Sequence, residues 1–272
     1  MSKKSILKKV IFLLIPTILI STAISCKEGK ESTMKVINEE NIQIEKDIVF
    51  FKSDNYILHL DVYKPRVKKE KKLKPILWIH GGEFKPHVDK EQDYIVKFCK
   101  YFAEKGYLCI APDYRTSEDP FANWEQTVSN TVDDTFKAIE WVKKNKNKYS
   151  LDLSHLIMAG GSAGGMISIY ATAKYSSTQK TPPIFANIDL WGSPFGQVNY
   201  LTQSFPPTLI VHGTDDQSVP YKNSLNFSEK LNELGVYNEL MTIEGGGHTP
   251  VSHFDEIALR IEAFLKKLEQ QK

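Results

Sequence analysis

HLIMAGGSAGGMISIY, residues 155–170, is the stretch that decides the fold of this chain. A short apolar run from Leu156 to Ala159 enters a cluster of four glycines around Ser162, and a longer run without Gly or Pro leaves it. This order predicts a buried strand, a sharp turn and a helix. The turn contains the pattern G-x-S-x-G, with Gly160 and Gly164 on either side, which holds a serine in a strained conformation at the top of a sheet. We therefore predict that Ser162 is presented there as a nucleophile.

Strand-like and helix-like segments alternate along most of the chain. Two strand-like runs come first without a helix between them, as in a hairpin at a sheet edge, and strand and helix then alternate. This order predicts an α/β protein with a mostly parallel eight-stranded sheet and helices on both faces. Ligands bind such sheets at the carboxyl ends of the strands, so the residues after each strand are the candidates for chemistry. The predicted strands are 47–52, 56–64, 75–80, 107–114, 155–160, 185–192, 207–213 and 237–245, and the predicted helices are 90–105, 124–144, 163–174, 222–234 and 251–268.

Residues 1–25 predict an export signal rather than part of the fold. Four lysines precede an apolar run that is short for a membrane crossing and ends in small residues before Cys26. The ending STAISC resembles a bacterial lipoprotein signal, which implies that Cys26 is lipidated and anchors the protein to a membrane of the cell envelope. An ordinary signal peptide of a periplasmic or secreted protein, or an uncleaved anchor, is the alternative. Residues 26–41 are polar and aperiodic and predict a flexible tether, and residues 42–272 predict one folded domain.

Charge gives no reason to expect a nucleic acid partner. The chain has 35 basic and 33 acidic residues, a net charge of +2, and residues 1–25 carry four lysines and no acid. Removal of that segment leaves 31 basic and 33 acidic residues and a net charge of −2. A nearly neutral protein lacks the basic surface that nucleic acids require, so we predict no nucleic acid binding.

The two cysteines beyond the export signal are too few for a disulfide framework. Cys99 lies in a helix-like stretch and Cys109 in a strand-like stretch. An exported protein meets oxidising conditions, which would allow the two to pair. The simpler prediction is that both are buried and act as small hydrophobic side chains.

A serine hydroxyl is a weak nucleophile until a base takes its proton. Among seven histidines, His248 follows the last predicted strand in TIEGGGHTP, where glycines allow a loop to reach across the sheet edge. We predict that His248 is the base and that the other six are structural or solvated. The base needs an acid to hold its tautomer. The loop HGTDDQSVP offers the adjacent Asp215 and Asp216, and spacing alone does not choose between them.

Acyl transfer also needs backbone N–H groups directed at the developing oxyanion. One N–H is expected from Ala163, directly after the nucleophile. The second is expected from the loop after the third strand, which reads His80-Gly81-Gly82-Glu83. We therefore predict an oxyanion hole formed by Ala163 and Gly82, with Glu83 as a further donor.

In this order the motifs resemble the α/β-hydrolase superfamily, and more narrowly its carboxylesterase branch with an H-G-G motif, which includes hormone-sensitive-lipase-like and feruloyl or acetyl-xylan esterases. The resemblance covers residues 42–268 and implies an α/β-hydrolase domain. It implies that Asp216, three residues before Val219, is the acid of a Ser162–Asp216–His248 triad. The matching motifs are HGGEF (80–84), GGSAGG (160–165), HGTDDQSVP (212–220) and GGGH (245–248).

The resemblance also implies an activity: a serine esterase that works through an acyl-enzyme without metal or cofactor. It implies that Arg115 pairs with the helix of Asp134 in a structural role. The chain departs from the lipase-like pattern at Glu83, where those relatives carry a third glycine. This departure places a carboxylate side chain beside the substrate or narrows the site.

The predicted site is open, because residues 193–206 between two strands are too few for a large cap. An open site favours short-acyl esters or esters borne on carbohydrate. Trp191, Phe195 and Tyr200 are predicted to line an aromatic wall for such a substrate, with ordinary packing as the alternative. Two other functions use the same fold: a serine peptidase of the prolyl-oligopeptidase type, and a catalytically inactive binding lipoprotein.

Overall fold

A computed structural model describes residues 37–67, 71–195 and 200–271. Within these ranges eight strands form one sheet in the order β1-β2-β4-β3-β5-β6-β7-β8. Pairing is antiparallel between β1 and β2 and between β2 and β4, and parallel elsewhere. The predicted mostly parallel eight-stranded sheet, with a hairpin at one edge, is confirmed. The strands are β1 (Ile42–Lys52), β2 (Ile57–Pro65), β3 (Lys74–Ile79), β4 (Tyr107–Pro112), β5 (Leu156–Gly161), β6 (Ile184–Leu190), β7 (Thr208–Gly213) and β8 (Asn238–Ile243).

The helices form two groups that cover the sheet. The first and last α-helices pack on each other through Phe98 and Phe254, whose ring centroids lie 4.6 Å apart. The helices on either side of β5 join the larger buried cluster, which includes Ile139 and Ile167. The α-helices are α1 (Asp93–Lys105), α2 (Trp124–Lys144), α3 (Lys146–Tyr149), α4 (Ala163–Ser177), α5 (Tyr221–Glu233) and α6 (Phe254–Gln270), and short 3₁₀ turns cover Glu39–Asn41, Leu153–His155 and Val251–His253.

Strand β1 begins five residues earlier than the predicted strand 47–52. Its first half, residues 42–46, contains two isoleucines among three polar residues and is mostly exposed because it lies at the sheet edge, so it lacks the dense apolar run by which residues 47–52 were identified. The polar side chains find ionic partners instead: Lys46 pairs with Glu91 at 2.8 Å, and Glu45 pairs with Lys64 at 2.7 Å. Edge strands often carry charged side chains, which also discourage pairing with other chains.

Helix α1 begins at Asp93, three residues later than predicted. Lys90 is drawn into the loop before it, because its backbone N–H donates to Asp113 at 3.0 Å and its buried ammonium lies 2.9 Å from Asp47. These contacts take Lys90 out of the helical path and connect the loop to β1. A buried lysine needs such partners, since an unpaired charge in the interior is costly.

Glu45 makes the edge hairpin sensitive to acid. Its carboxylate accepts hydrogen bonds from Lys64, Lys148 and the Tyr149 hydroxyl, at 2.7, 3.2 and 2.9 Å. Partial burial alone would raise the pKa of Glu45, but these three hydrogen bonds outweigh it and lower the pKa from 4.5 to about 2. A carboxyl whose pKa is lowered by folding stabilises the fold above its unfolded value, and this stabilisation is lost as pH falls.

We expect Glu45→Gln to remove part of the acid sensitivity of unfolding. In the wild-type protein the urea midpoint should fall between pH 4.5 and about 2 as the Glu45 pairs are neutralised. The variant should be less stable at pH 7 and should lose less stability over that interval. Urea titrations at several pH values test this, with the exposed Glu118→Gln as control. Identical pH dependence in the wild-type protein and Glu45→Gln would contradict the assignment.

Two smaller predictions are confirmed. Cys99 and Cys109 are both free and fully buried. Arg115 pairs with Asp134 at 2.8 Å between Nε and Oδ2, and its backbone N–H donates to the same oxygen at 2.9 Å. The Arg115–Asp134 pair holds the segment after β4 against α2.

The predicted export signal, Cys26 and most of the predicted tether lie outside the described residues. Residues 37–41 at the end of that tether are described, and Glu39 there pairs with Lys100 of α1 at 2.6 Å. In the three described ranges, no helix combines the length and apolar character needed to cross a membrane. The lipid anchor remains a prediction.

Candidate active site

Ser162 occupies the sharp turn between β5 and α4. Its backbone has φ 56° and ψ −123°, a conformation that side-chain-bearing residues rarely adopt. The turn is held from the neighbouring strand, because the N–H of Ser162 donates to the carbonyl of Leu190 at 2.9 Å. The strand–turn–helix predicted from the sequence therefore places the Ser162 side chain at the carboxyl edge of the sheet.

Two glycines allow the turn to close. A Cβ at Gly160 would lie 2.3 Å from the carbonyl oxygen of Gly164, and a Cβ at Gly164 would lie 2.1 Å from the carbonyl oxygen of Ile79. Both distances are far below any allowed carbon–oxygen contact, and the obstructing atoms are backbone. The G-x-S-x-G pattern is thus a packing requirement of strand, turn and neighbouring strand.

Helix α4 gives the turn a rigid base. Twelve of its fifteen residues are buried, so the helix packs on all sides rather than along one stripe. As the first residue of α4, Ala163 carries one of the N–H groups that a helix cannot pair internally. That N–H and the positive end of the helix dipole both favour negative charge beside Ser162.

His248 and Asp216 complete a hydrogen-bonded chain with Ser162. His248 Nε2 lies 2.8 Å from Ser162 Oγ, and His248 Nδ1 lies 2.8 Å from Asp216 Oδ2. The structure therefore brings together the three residues predicted as a triad. Their loops follow β5, β7 and β8, so all three side chains come from the carboxyl ends of parallel strands.

The loops after β7 and β8 are tied to each other. The N–H of Asp215 donates to the carbonyl of Gly246 at 2.9 Å, and the N–H of Gly245 donates to the Thr214 hydroxyl at 2.8 Å. These hydrogen bonds fix the distance between the acid and the histidine. Asp215 itself is exposed, and its carboxylate accepts from Thr214 at 3.2 Å. Of the two adjacent carboxylates, Asp216 is therefore the one directed at His248.

Asp216 is buried and held as a carboxylate. Its Oδ1 accepts from the N–H groups of Ser218 and Val219, both at 2.8 Å. Burial alone would raise the pKa of Asp216, but the hydrogen bonds from His248, Val219 and Ser218 outweigh burial and lower it overall. The ionised acid can therefore hold the His248 Nδ1 proton and face a positive imidazolium.

The H-G-G loop lies against the nucleophile turn in an unusual backbone conformation. Gly82, Glu83 and Phe84 have φ values of 102°, 56° and 63°. Buried hydrogen bonds hold the preceding residues, because the Gln92 side chain accepts from the N–H of Gly81 at 2.8 Å and the Tyr114 hydroxyl donates to the carbonyl of Gly81 at 3.0 Å. A left-handed backbone is costly at the non-glycine residues Glu83 and Phe84, which is consistent with a functional backbone shape.

His80 belongs to this scaffold. It is fully buried, its ring stacks on Tyr114 with centroids 4.2 Å apart, and its Nδ1 lies 2.8 Å from the carbonyl of Gly81. Burial lowers the pKa of His80 to about 4. A neutral His80 thus donates to the Gly81 carbonyl and supports the loop.

The Glu83 side chain lines the site but is also exposed. Its carboxylate pairs with Lys85 at 3.0 Å, which lowers the pKa of Glu83. The departure from a third glycine therefore adds an ion pair at the rim. The left-handed φ of Glu83 is the conformation that a glycine would adopt without strain.

A cavity of about 340 Å³ opens beside Ser162 and His248. Trp124 is the centre of its aromatic wall. Its ring stacks on Phe121 at 5.6 Å and 16°, meets Phe84 edge-on at 5.3 Å, and lies 6.3 Å from Phe195. The predicted contact residue Phe195 is 49 % exposed and lies in this wall. The apolar residues that line the cavity are Phe84, Phe121, Trp124, Ala163, Met166, Phe195 and Val219.

The structure corrects the placement of Trp191. Its side chain is fully buried and packs edge-on against Tyr94 at 5.3 Å, because the chain turns inward at the end of β6. Trp191 therefore supports the core, and the indole at the cavity belongs to Trp124. The Tyr200 ring is tilted by 34° against Tyr170 with centroids 5.0 Å apart, and it lines a neighbouring cavity that Trp124 also lines.

The sequence-based search passed over Phe121 and Trp124. Both lie in or after the loop that follows β4, which is at the same edge of the sheet as the triad. The rule that residues after parallel strands form the site could have identified this loop.

Comparison with known structures shows the same architecture. A butyrate-bound esterase, Est2 from Thermogutta terrifontis, superposes with a TM-score of 0.66 at 23% identity, over 84% of this chain and 94% of that chain. The chain has the α/β-hydrolase fold. A truncated carbohydrate esterase from gut microbiota also superposes on this chain, with a TM-score of 0.66 at 18% identity over 84% of this chain and 96% of that chain.

Two family models match consecutive parts of this chain. The model described as BD-FAE matches residues 60–187, which include Gly82 and Ser162. The model described as the Prolyl oligopeptidase family matches residues 191–271, which include Asp216 and His248. Each match covers less than half of the chain, and neither includes all three of Ser162, Asp216 and His248.

Curated proteins that are similar to this chain include esterases of Mycobacterium tuberculosis. Esterase LipC is 23% identical over 236 residues, 70% of this chain and 56% of LipC. The probable carboxylic ester hydrolase LipM is 23% identical over 232 residues, 67% of this chain and 51% of LipM. The chain therefore spans about half the length of these relatives.

Proposed function

We propose that the protein is a serine esterase that hydrolyses short-acyl or carbohydrate-borne carboxylic esters through an acyl-enzyme. One observation carries the proposal: Ser162, His248 and Asp216 form a chain of two 2.8 Å hydrogen bonds beside an open cavity. Nucleophile, base and orienting acid within hydrogen-bond reach are the requirement for activating a serine. The esterase relatives support the same reaction class.

In the first half-reaction His248 takes the hydroxyl proton as Ser162 Oγ attacks the ester carbonyl. The carbonyl oxygen becomes an oxyanion beside the N–H of Ala163 and the Gly82–Glu83 backbone, which are proposed to stabilise it. His248 then gives its proton to the alkoxide, and the alcohol leaves. Asp216 stays ionised throughout and faces the positive imidazolium.

In the second half-reaction water takes the place of the alcohol. His248 Nε2 removes a proton from this water as the water attacks the acyl-enzyme carbonyl. The same N–H groups stabilise the second oxyanion, and the serine oxygen leaves as it recovers the proton from His248. The acid product is then released into the open cavity.

The shape of the cavity supports the proposed substrate class. A volume of about 340 Å³ is near the lower end of ordinary ligand sites and leaves little space for a long acyl chain. The aromatic wall around Trp124 offers a flat surface for a sugar or phenolic ring. Butyrate in the Est2 structure and the carbohydrate esterase among the structural neighbours support the same two classes.

Hydrolysis of p-nitrophenyl acetate, butyrate and decanoate tests the proposal, together with acetylated and feruloylated sugars. We expect activity to fall with acyl length, because the decanoyl chain exceeds the cavity. A well-folded protein that hydrolyses none of these esters would contradict the proposed function. Faster turnover of decanoate than of acetate would contradict the substrate class.

Trp124→Ala is expected to slow the hydrolysis of esters that carry a sugar or phenolic ring more than that of esters without a ring. We expect kcat/KM for a feruloylated or acetylated sugar to fall about tenfold, which corresponds to losing one aromatic stacking contact. The kcat/KM for ethyl acetate, which carries no ring, should stay within about threefold. Trp141→Ala in the last part of the same helix is the matched control, since Trp141 packs on Tyr149 away from the cavity. Equal losses for all substrates would argue against this role of Trp124.

A peptidase of the prolyl-oligopeptidase type is the second candidate, because that family model matches residues 191–271. The same triad serves both reactions, and the match includes Asp216 and His248. Hydrolysis of peptide p-nitroanilides without hydrolysis of any ester would favour the peptidase.

The export signal and the lipid anchor at Cys26 remain part of the proposal, which locates the enzyme in a bacterial cell envelope.

A further inference from the structure

We propose that His212, at the end of β7, is a positioning residue that fixes the acid of the triad. The proposal rests on the proposed function, because it assigns His212 to the same site. His212 is one of the histidines that the sequence predicts to be structural or solvated. The structure instead places its Nε2 3.0 Å from Asp216 Oδ2, the oxygen that also lies 2.8 Å from His248 Nδ1.

Both ring nitrogens of His212 are engaged, and the side chain is fully buried. Nε2 lies 2.8 Å from the carbonyl oxygen of Val219 and 3.0 Å from Asp216 Oδ2. Nδ1 lies 2.7 Å from the Ser224 hydroxyl of α5. Because a carbonyl and a carboxylate only accept, Nε2 must carry the hydrogen, and Nδ1 then accepts from Ser224.

This arrangement connects three elements around one carboxylate. His212 belongs to β7, Ser224 to α5, and Val219 to the loop that carries Asp216. The N–H of Val219 donates to Asp216 Oδ1, and its carbonyl accepts from His212, so one residue of the loop is held on both sides. The carboxylate thus has the loop N–H groups on one oxygen and two histidines beside the other. Such support determines whether a side chain stays in productive geometry.

The histidine is suited to this role in its neutral form. Burial lowers the pKa of His212, although its contacts with Val219 and Asp216 act in the opposite direction. The titratable groups that face it are Asp216 and His248, and the Tyr221 ring lies 6.0 Å away. A neutral His212 places its single Nε2 hydrogen between the Val219 carbonyl and Asp216 Oδ2, and it adds no positive charge beside the carboxylate that faces His248.

His212→Leu removes the donor while keeping an apolar side chain of comparable bulk. We expect kcat to fall about ten- to a hundredfold with KM nearly unchanged, as for other residues that orient a ligand or catalytic group from behind. The acid limb of the kcat/KM profile should move to lower pH, because a displaced carboxylate stabilises the imidazolium less. His212→Gln keeps an N–H donor and should restore most of kcat.

Thr208→Val is the matched control at the opposite end of the same strand. Thr208 is fully buried, and its hydroxyl donates to the carbonyl of Pro206 at 3.0 Å. This variant should lower thermal stability without changing kcat or the pH profile. If His212→Leu does not fold, Ser224→Ala is the milder variant, since it removes only the group that holds Nδ1, and it should lower kcat several-fold.

The proton NMR signal of the His248 Nδ1–H···Asp216 hydrogen bond gives a readout that needs no turnover. We expect a far-downfield resonance in the wild-type protein and in His212→Gln, and its loss or upfield movement in His212→Leu. If the resonance changes in His212→Leu but the wild-type protein hydrolyses no ester, the proposed function is overturned and the positioning role of His212 is supported. Folded His212→Leu with unchanged kcat, acid limb and resonance would overturn the positioning role.

Discussion

Ser162→Ala is expected to lower kcat for p-nitrophenyl butyrate by about a million-fold. The loss is large because the alanine removes the attacking oxygen and, with it, the hydroxyl proton that His248 accepts. The fold should persist, since the conformation of the turn depends on Gly160, Gly164 and the bond to Leu190 rather than on the hydroxyl. Initial rates for both proteins at high enzyme concentration measure the effect.

Ser193→Ala is the control for this substitution. Ser193 lines the same cavity and is fully buried, and its hydroxyl accepts from the N–H of Phe195 at 2.9 Å. We expect its kcat to stay within about tenfold of wild type, because Ser193 has no base beside it. Residual activity of Ser162→Ala comparable with that of Ser193→Ala would rule out Ser162 as the nucleophile.

Asp216→Asn is expected to lower kcat by about ten-thousandfold, whereas Asp215→Asn should change it by about threefold or less. Asparagine at position 216 can donate to His248 Nδ1, which favours the tautomer that cannot accept the Ser162 proton. The neighbouring carboxylate provides a matched control, because Asp215 has the same charge and loop but is exposed and contacts Thr214.

Rate measurements on both variants at several pH values test the assignment. Because hydrogen bonds from His248, Val219 and Ser218 keep the pKa of Asp216 low despite burial, the wild-type acid is ionised throughout the neutral range. The deficit of Asp216→Asn should therefore persist across that range. A larger loss in Asp215→Asn than in Asp216→Asn would contradict the geometry.

The sequence predicted the nucleophile turn well because its signal is steric and local. Gly160 and Gly164 are required by backbone contacts within a few residues of Ser162, so the pattern carries its own explanation. The strand positions were predicted from another local signal. Strands β5, β6 and β7 are buried along their whole length and therefore read as apolar runs in the sequence. Strand β1 was found only in part because its burial is that of an edge strand.

Contacts between distant loops could not be predicted from the residues alone. Asp215 and Asp216 differ only in which way each side chain points, and that is set by hydrogen bonds to the loop after β8. Trp191 and Trp124 carry the same side chain, but that of Trp191 is buried in the core and that of Trp124 lines the cavity. The role proposed for His212 likewise depends on the return of the 216–219 loop onto the end of β7.

The acyl-enzyme is the central claim, and mass spectrometry of acid-quenched protein tests it most directly. Wild-type protein mixed with p-nitrophenyl butyrate and quenched within milliseconds should gain the mass of one butyryl group. Peptide mapping should locate that group on Ser162, and Ser162→Ala should gain none. Ester hydrolysis without any acylated Ser162, or acylation at another residue that accounts for turnover, would contradict the account.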